Sequence, residues 1–158
     1  RKMSDWVTGS GKRISFDTII DLISVHNKNK GKVCIGTDSF VKKNDCIFSV
    51  AICLYGAEGQ NGGRYFIKRT KSNKKLYPTM LQRIVLETQK SIDLGTQLLD
   101  VAPRSNIEIH LDVSPTNKNN GTSRFADMLI GYAKGAGFEY KVKPDSFAAM
   151  SVADKHSK

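Results

Sequence analysis

Apolar and polar positions along this chain repeat with two different periods, and the switches between them divide it into elements. Phe16, Ile19, Ile20 and Ile23 follow helical spacing. Ser15 is placed to cap that helix, with Asp17 near its positive end. The polar run from Asn27 to Lys32, with Gly31 inside it, ends the helix. Residues 33–41 predict a strand, Lys42-Lys43-Asn44-Asp45 a turn, and residues 46–55 a second, largely apolar strand. Four glycines between Gly56 and Gly63 predict a hairpin loop, and residues 64–70 a third strand. A long helix opens at Tyr77-Pro78, where a proline's missing N–H costs little. It carries Met80, Ile84, Glu87, Ser91, Leu94 and Leu98 on one face, and Pro103 ends that region. Residues 106–113 predict a fourth strand, Ser114 to Thr122 a polar loop, and Ser123 to Ala136 a helix closed by Gly137. Phe138 to Val142 predict a fifth strand, and Pro144-Asp145-Ser146 starts a final helix. The polar start has no such period. The expectation is a flexible segment over 1–14 and one domain over 15–158. A three-strand meander followed by alternating helices and strands makes this an α/β domain: a five-stranded mixed sheet in the order βββ-α-β-α-β-α, with an extra N-terminal helix.

Four carboxylates fall at particular places in that order. Asp38 ends the apolar run Val33-Cys34-Ile35-Gly36-Thr37, and Asp112 ends the run Ile107-Glu108-Ile109-His110-Leu111. Glu87 is the acid in the apolar stripe of the long helix, and Asp154 lies in the last helical stretch, on one face with Phe147 and Met150 or Ser151. Acids next to apolar runs need a partner, a cation or solvent. Mg²⁺ or Mn²⁺ takes oxygen ligands, and phosphoryl chemistry uses pairs of such ions. Each acid also has a plainer reading. Asp38 and Asp112 suit strand ends that accept turn N–H groups. Glu87 reaches the surface beside Arg83 or Lys90 if the helix rolls and Thr88 turns inward. Asp145 is a natural helix cap and Asp127 a solvated helix residue, so Asp154 is preferred to both. Thr37 and Ser39 are placed to orient Asp38. His110 shares the face of Asp112 by the two-residue period. It joins Lys155 and His156 as an auxiliary candidate for proton transfer or phosphate contact.

Several short words along the chain agree in order with one known family. Ile35-Gly36-Thr37-Asp38-Ser39, Leu86-Glu87-Thr88 with Ser91, Ile109-His110-Leu111-Asp112, Gly131-Tyr132 with Gly137-Phe138, and Lys143-Pro144-Asp145 followed by Ser151-Val152-Ala153-Asp154-Lys155 resemble the small single-domain RNase H-like family of the YkuK type. The likeness runs from about Phe16 to Lys158. It implies an RNase H-like fold and a divalent-metal-dependent nuclease, with Asp38, Glu87, Asp112 and Asp154 as catalytic and metal-binding residues. Glu87 departs from the usual RNase H layout. Counted from Pro78 it lies in about the third helical turn, whereas the usual helical Glu sits near the start.

Charge changes the picture in one respect. The chain has 25 basic and 15 acidic residues, a net charge of +10. That favours an anionic partner: RNA, DNA or a hybrid. Arg64 to Lys75 holds six Lys or Arg and no acid, with Tyr65 and Phe66 interleaved. Lys68, Arg69, Lys71, Lys74 and Lys75 from this segment, with Lys118 and Arg124 flanking the polar loop, form the expected nucleic-acid-binding set. The alternative reading is a nucleic-acid-binding or assembly domain that keeps the fold without catalysis. Cys34, Cys46 and Cys53 lack metal-ligand spacing and read as buried free thiols. The expected location is cytoplasmic, with no membrane partner, since no apolar run approaches a span and no secretory signal is present. Neither substrate type nor oligomeric state follows from these patterns.

Overall fold

The computed structural model describes residues 6–115 and 125–146. Helix α1 (Phe16–Lys28) starts as its sequence predicts. The Ser15 hydroxyl accepts from the Thr18 N–H at 3.1 Å, and Ile19 and Ile23 are buried. The three strands of the meander are β3 (Lys32–Lys42), β4 (Asp45–Tyr55) and β5 (Arg64–Asn73). They pair antiparallel over nearly their whole length. Helix α2 (Met80–Val101) follows, then β6 (Asn106–His110), helix α3 (Ala126–Gly135) and β7 (Glu139–Lys141).

The start of the chain differs from expectation. Where the polar pattern predicts no regular element, β1 (Trp6–Thr8) and β2 (Arg13–Ile14) form. Trp6 is buried and stacks on Phe16 at 6.2 Å, and β1 pairs with β5 from Phe66 to Lys68. The sheet therefore has seven strands rather than five, in the order β2-β1-β5-β4-β3-β6-β7. β3 and β6 run parallel, as do β6 and β7.

Helix α2 also begins later than predicted. Thr79 and Gln82 close a capping box, so Pro78 precedes the cap, and Lys74–Leu76 form a separate 3-10 turn. The final helix expected from Pro144 lies, from residue 147 on, outside the described residues.

The main core lies on one face of the sheet. Val33, Ile35, Val50, Ile52, Leu54, Phe66, Ile107 and Ile109 meet Ile19 and Ile23 of α1, Ile84, Ile92 and Leu98 of α2, and Leu129 of α3. Gly95 lets α2 approach closely: a Cβ there would lie 2.9 Å from Phe138 Cζ. The opposite sheet face carries smaller side chains, with Cys34, Cys53 and Ala51 fully buried. All three cysteines are buried free thiols, and burial pushes the Cys53 thiol up to about 11.

Candidate metal centre

The parallel pairing of β3 and β6 ends at the row Gly36–His110. The Leu111 N–H then donates to the Lys141 carbonyl at 2.9 Å, so the chain after β6 follows β7 and leaves β3. Asp38 and Asp112 each stand two residues past that last row, Asp112 just beyond the carboxyl end of β6 and Asp38 within β3 at the point where its parallel partner leaves it. The carboxyl ends of parallel strands are where open α/β sheets bind ligands.

Helix α2 brings the third acid into the gap. The Thr37 and Ser91 hydroxyls bond at 2.7 Å, and the Ser39 hydroxyl donates to Glu87 Oε2 at 2.5 Å. Two residues of strand advance about 6.6 Å and four residues of helix about 6 Å, so both ties hold at once. They fix the roll of α2, with Glu87 8% and Thr88 4% exposed. The surface alternative for Glu87 does not form: Arg83 donates to the Tyr77 carbonyl and Lys90 lies over the Phe48 ring. Ligand oxygens of Asp38, Glu87 and Asp112 all lie within 4.8 Å of one another. A cavity of about 10 Å³, room for one water, lies against Glu87 and Asp112, beside Thr37 and Ser91.

Burial holds the Glu87 carboxyl well above the usual carboxylate range. The Ser39 bond opposes that shift, and the charges of Asp38 and Asp112 add to it. Asp112 has a counter-charge, since Lys143 Nζ lies 2.9 Å from its Oδ1. That ammonium approaches away from hydrogen-bonding directions, so this buried oxygen has no hydrogen bond among the described residues. Converging hard oxygens, one without a hydrogen bond, around a Glu87 that is buried beside two further acids fit a divalent cation of the Mg²⁺ or Mn²⁺ kind.

The other candidates separate. Ser39 gives its backbone N–H to Asp38 Oδ1 at 2.9 Å but its hydroxyl to Glu87, and Thr37 is tied to Ser91 rather than orienting Asp38. His110 is buried, which lowers its affinity for a proton, and its Nε2 lies 3.1 Å from Glu108 Oε1. Arg69 and Lys71 are exposed on the sheet face that Asp38 shares, while Lys68 is half-buried on the helix face between Val50 and Trp6. Lys74 and Lys75 are exposed in the 3-10 turn. Asp127 and Asp145 are exposed. Asp154, Lys155, His156, Lys118 and Arg124 lie outside the described residues.

Two participants escape the local sequence pattern. Lys141 pairs with His110, so Lys143 falls level with Asp112; only the parallel register of β7 reveals it. Glu108 is the other. It is 1% exposed and collects Lys32 Nζ at 3.0 Å, the Tyr55 hydroxyl at 3.1 Å, the Cys34 thiol and His110. Burial alone would raise its carboxyl, but the bonds from Lys32, His110 and Tyr55 outweigh it and hold it at about 2. Cys34, Glu108 and His110 also stand within 4.8 Å of one another. With Lys32 neutralising Glu108 and burial keeping the Cys34 thiol protonated, this is a satisfied polar network rather than a metal cradle.

A seven-stranded mixed sheet with three carboxylates where its parallel strands part defines the class: an α/β domain of RNase H-like architecture with an acidic centre. The family model described as Ribonuclease H-like matches residues 15–158, and the chain belongs to that family. No curated protein and no solved structure matches the chain. No described helix is long and apolar enough to cross a membrane.

Proposed function

We propose that the protein is a divalent-metal-dependent nuclease that hydrolyses phosphodiester bonds of nucleic acid. One observation carries this reading: in a member of the Ribonuclease H-like family, carboxylates from β3, from α2 and from the segment just after β6 converge within 4.8 Å where the parallel pairing of β3 and β6 ends. Asp38, Asp112 and Glu87 would hold the ions, with Asp154 as the expected fourth ligand. Bound there, a pair of divalent ions would supply an activated water and stabilise the leaving oxygen. Ser39 holds Glu87 facing its partners, and the Thr37–Ser91 bond sets the depth of α2. Lys143 balances Asp112. Arg69, Lys71, Lys74 and Lys75 would hold the phosphate backbone, which gives affinity without reading sequence.

The test is cleavage of labelled RNA, DNA, hybrid and branched DNA with Mg²⁺, Mn²⁺ or EDTA, by wild type and Asp38→Asn. Metal-dependent cutting by the wild type that the variant loses is the expected result. Salt-sensitive binding without cutting of any substrate would instead assign a non-catalytic nucleic-acid-binding domain.

A further inference from the structure

β3, β4 and β5 stay in register past the carboxylates. Asp38 pairs with Ser49 and Ser49 with Arg69, and from that row the three strands run on together to Lys42, Asp45 and Asn73. Four residues at about 3.3 Å each carry this tongue about 13 Å beyond Asp38. Among the described residues no strand flanks it there: β6 stops pairing at Gly36 and β1 at Lys68. The Lys74 N–H donates to the Asn44 carbonyl at 2.9 Å, which ties the 3-10 turn to the hairpin tip.

The tongue is strongly basic. It carries Lys42, Lys43, Arg69, Lys71, Lys74 and Lys75, all exposed, against the single acid Asp45. Asp45 reaches Lys71 at 3.9 Å, but both side chains are well exposed, so the pair neutralises little. Lys42, Arg69 and Lys71 share the face of Asp38 by strand alternation and register. At the apex Lys43 adopts φ 58, where glycine or asparagine would be relaxed. A long cation therefore stands at the tip in a backbone conformation that disfavours it.

We propose that this tongue is a phosphate track that grips one nucleic-acid strand on one side of the bond to be cut. The inference rests on the nuclease reading of the carboxylate centre and adds a length requirement to it. A reach of 13 Å corresponds to about four stacked nucleotides at about 3.4 Å each. Substrates must extend that far past the scissile phosphate on one side.

The test uses the full chain and fluorescent 12-nucleotide DNA and RNA strands. Binding is read by anisotropy in EDTA from 50 to 200 mM salt. Lys42→Ala with Lys43→Asn alters the tip while suiting its backbone, and Lys28→Ala with Lys134→Ala removes two exposed charges elsewhere. The tip variant should bind about ten-fold more weakly, with a log–log salt slope smaller by about one to two. The control should change less than two-fold. With Mn²⁺, shortening the strand on one side of the cut from four nucleotides to one should slow the wild type several-fold and leave the tip variant's rate nearly unchanged. Equal binding by tip variant and wild type, an equal loss in the control, or no strand binding at all overturns the track. So does a tip variant that loses only binding to phosphatidylserine vesicles, which would assign the tongue to a membrane surface. A weakened tip variant of a protein that cuts nothing leaves the track standing and removes the nuclease reading. Normal cutting with an undisturbed tip variant does the reverse.

Discussion

Asp38 and Asp112 stand at equal height in the gap between β3 and β6, each two residues past the Gly36–His110 row. Lys143 stands level with them, two past Lys141. The charges of Asp38 and Asp112 act against ionisation of Glu87, a repulsion that a bound divalent cation would relieve. A ligand bound only by the folded state at 100 times its Kd adds about 2.7 kcal/mol. For a chain of this size that corresponds to a Tm increase of about 5–10 °C. Mn²⁺ should raise the wild-type Tm by this amount. Asp38→Asn should lose most of the shift, yet melt no lower than wild type in EDTA, because one repelling charge is gone. Differential scanning calorimetry with and without Mn²⁺ checks both.

Ser39 gives Glu87 its one short hydroxyl bond, inside a buried setting. Ser39→Ala leaves a buried carboxyl short of a donor, which costs about 1–3 kcal/mol. Glu87 should then hold its proton more firmly and compete less well for metal. We expect Mn²⁺ affinity to fall about ten-fold by calorimetric titration, and Ser39→Thr to restore most of it. Unchanged affinity in Ser39→Ala would mean that Glu87 does not reach the ion.

Glu108 predicts acid sensitivity outside the cluster of Asp38, Glu87 and Asp112. Its carboxyl sits at about 2 in the folded chain, below its ordinary value of 4.5. The folded state therefore binds fewer protons than the unfolded state between those values. The stabilisation is fully present above pH 4.5 and is lost as pH falls towards 2, with a size on the order of 2 kcal/mol. Urea midpoints across that window should drop less steeply for Glu108→Gln than for wild type. At pH 7 the variant should already be weaker, because Lys32 loses its partner.

Gly95 sets opposing effects against each other. Alanine in a helix interior gains up to about 1 kcal/mol over glycine, whereas overpacking costs about 1–3 kcal/mol. With Phe138 Cζ 2.9 Å from the added carbon, the packing cost should win. Gly95→Ala should lower the unfolding free energy by about 1 kcal/mol. The same change in a Phe138→Leu background should lower it less.

The main strands and the first helix were legible because apolar period and cap chemistry are local. Ser15 caps α1 as its position suggests, and the five predicted strands all form. Thr79 with Gln82 carries a capping-box spacing that outranks Pro78, so the start of α2 has a local signature at Thr79 rather than at Tyr77-Pro78. That Asp38 and Asp112 meet depends on their strands being neighbours, which β3 and β6 are. Lys143 and the Glu108 network were not legible, because the register between strands distant in sequence has no local signature. β1 and β2 were missed for the same reason: Trp6 finds its place only once β5 and Phe16 are present.

The three acids come from the first third of the chain, its middle, and a point well past its middle. A growing chain, or one cut before Asp112, holds no more than two of them, and one cut before Asn106 also lacks the parallel strand that sets the third. If a divalent cation binds there as proposed, its occupancy would report that the chain has folded through β6. On the proposed nuclease reading, hydrolysis would have to wait for the same step.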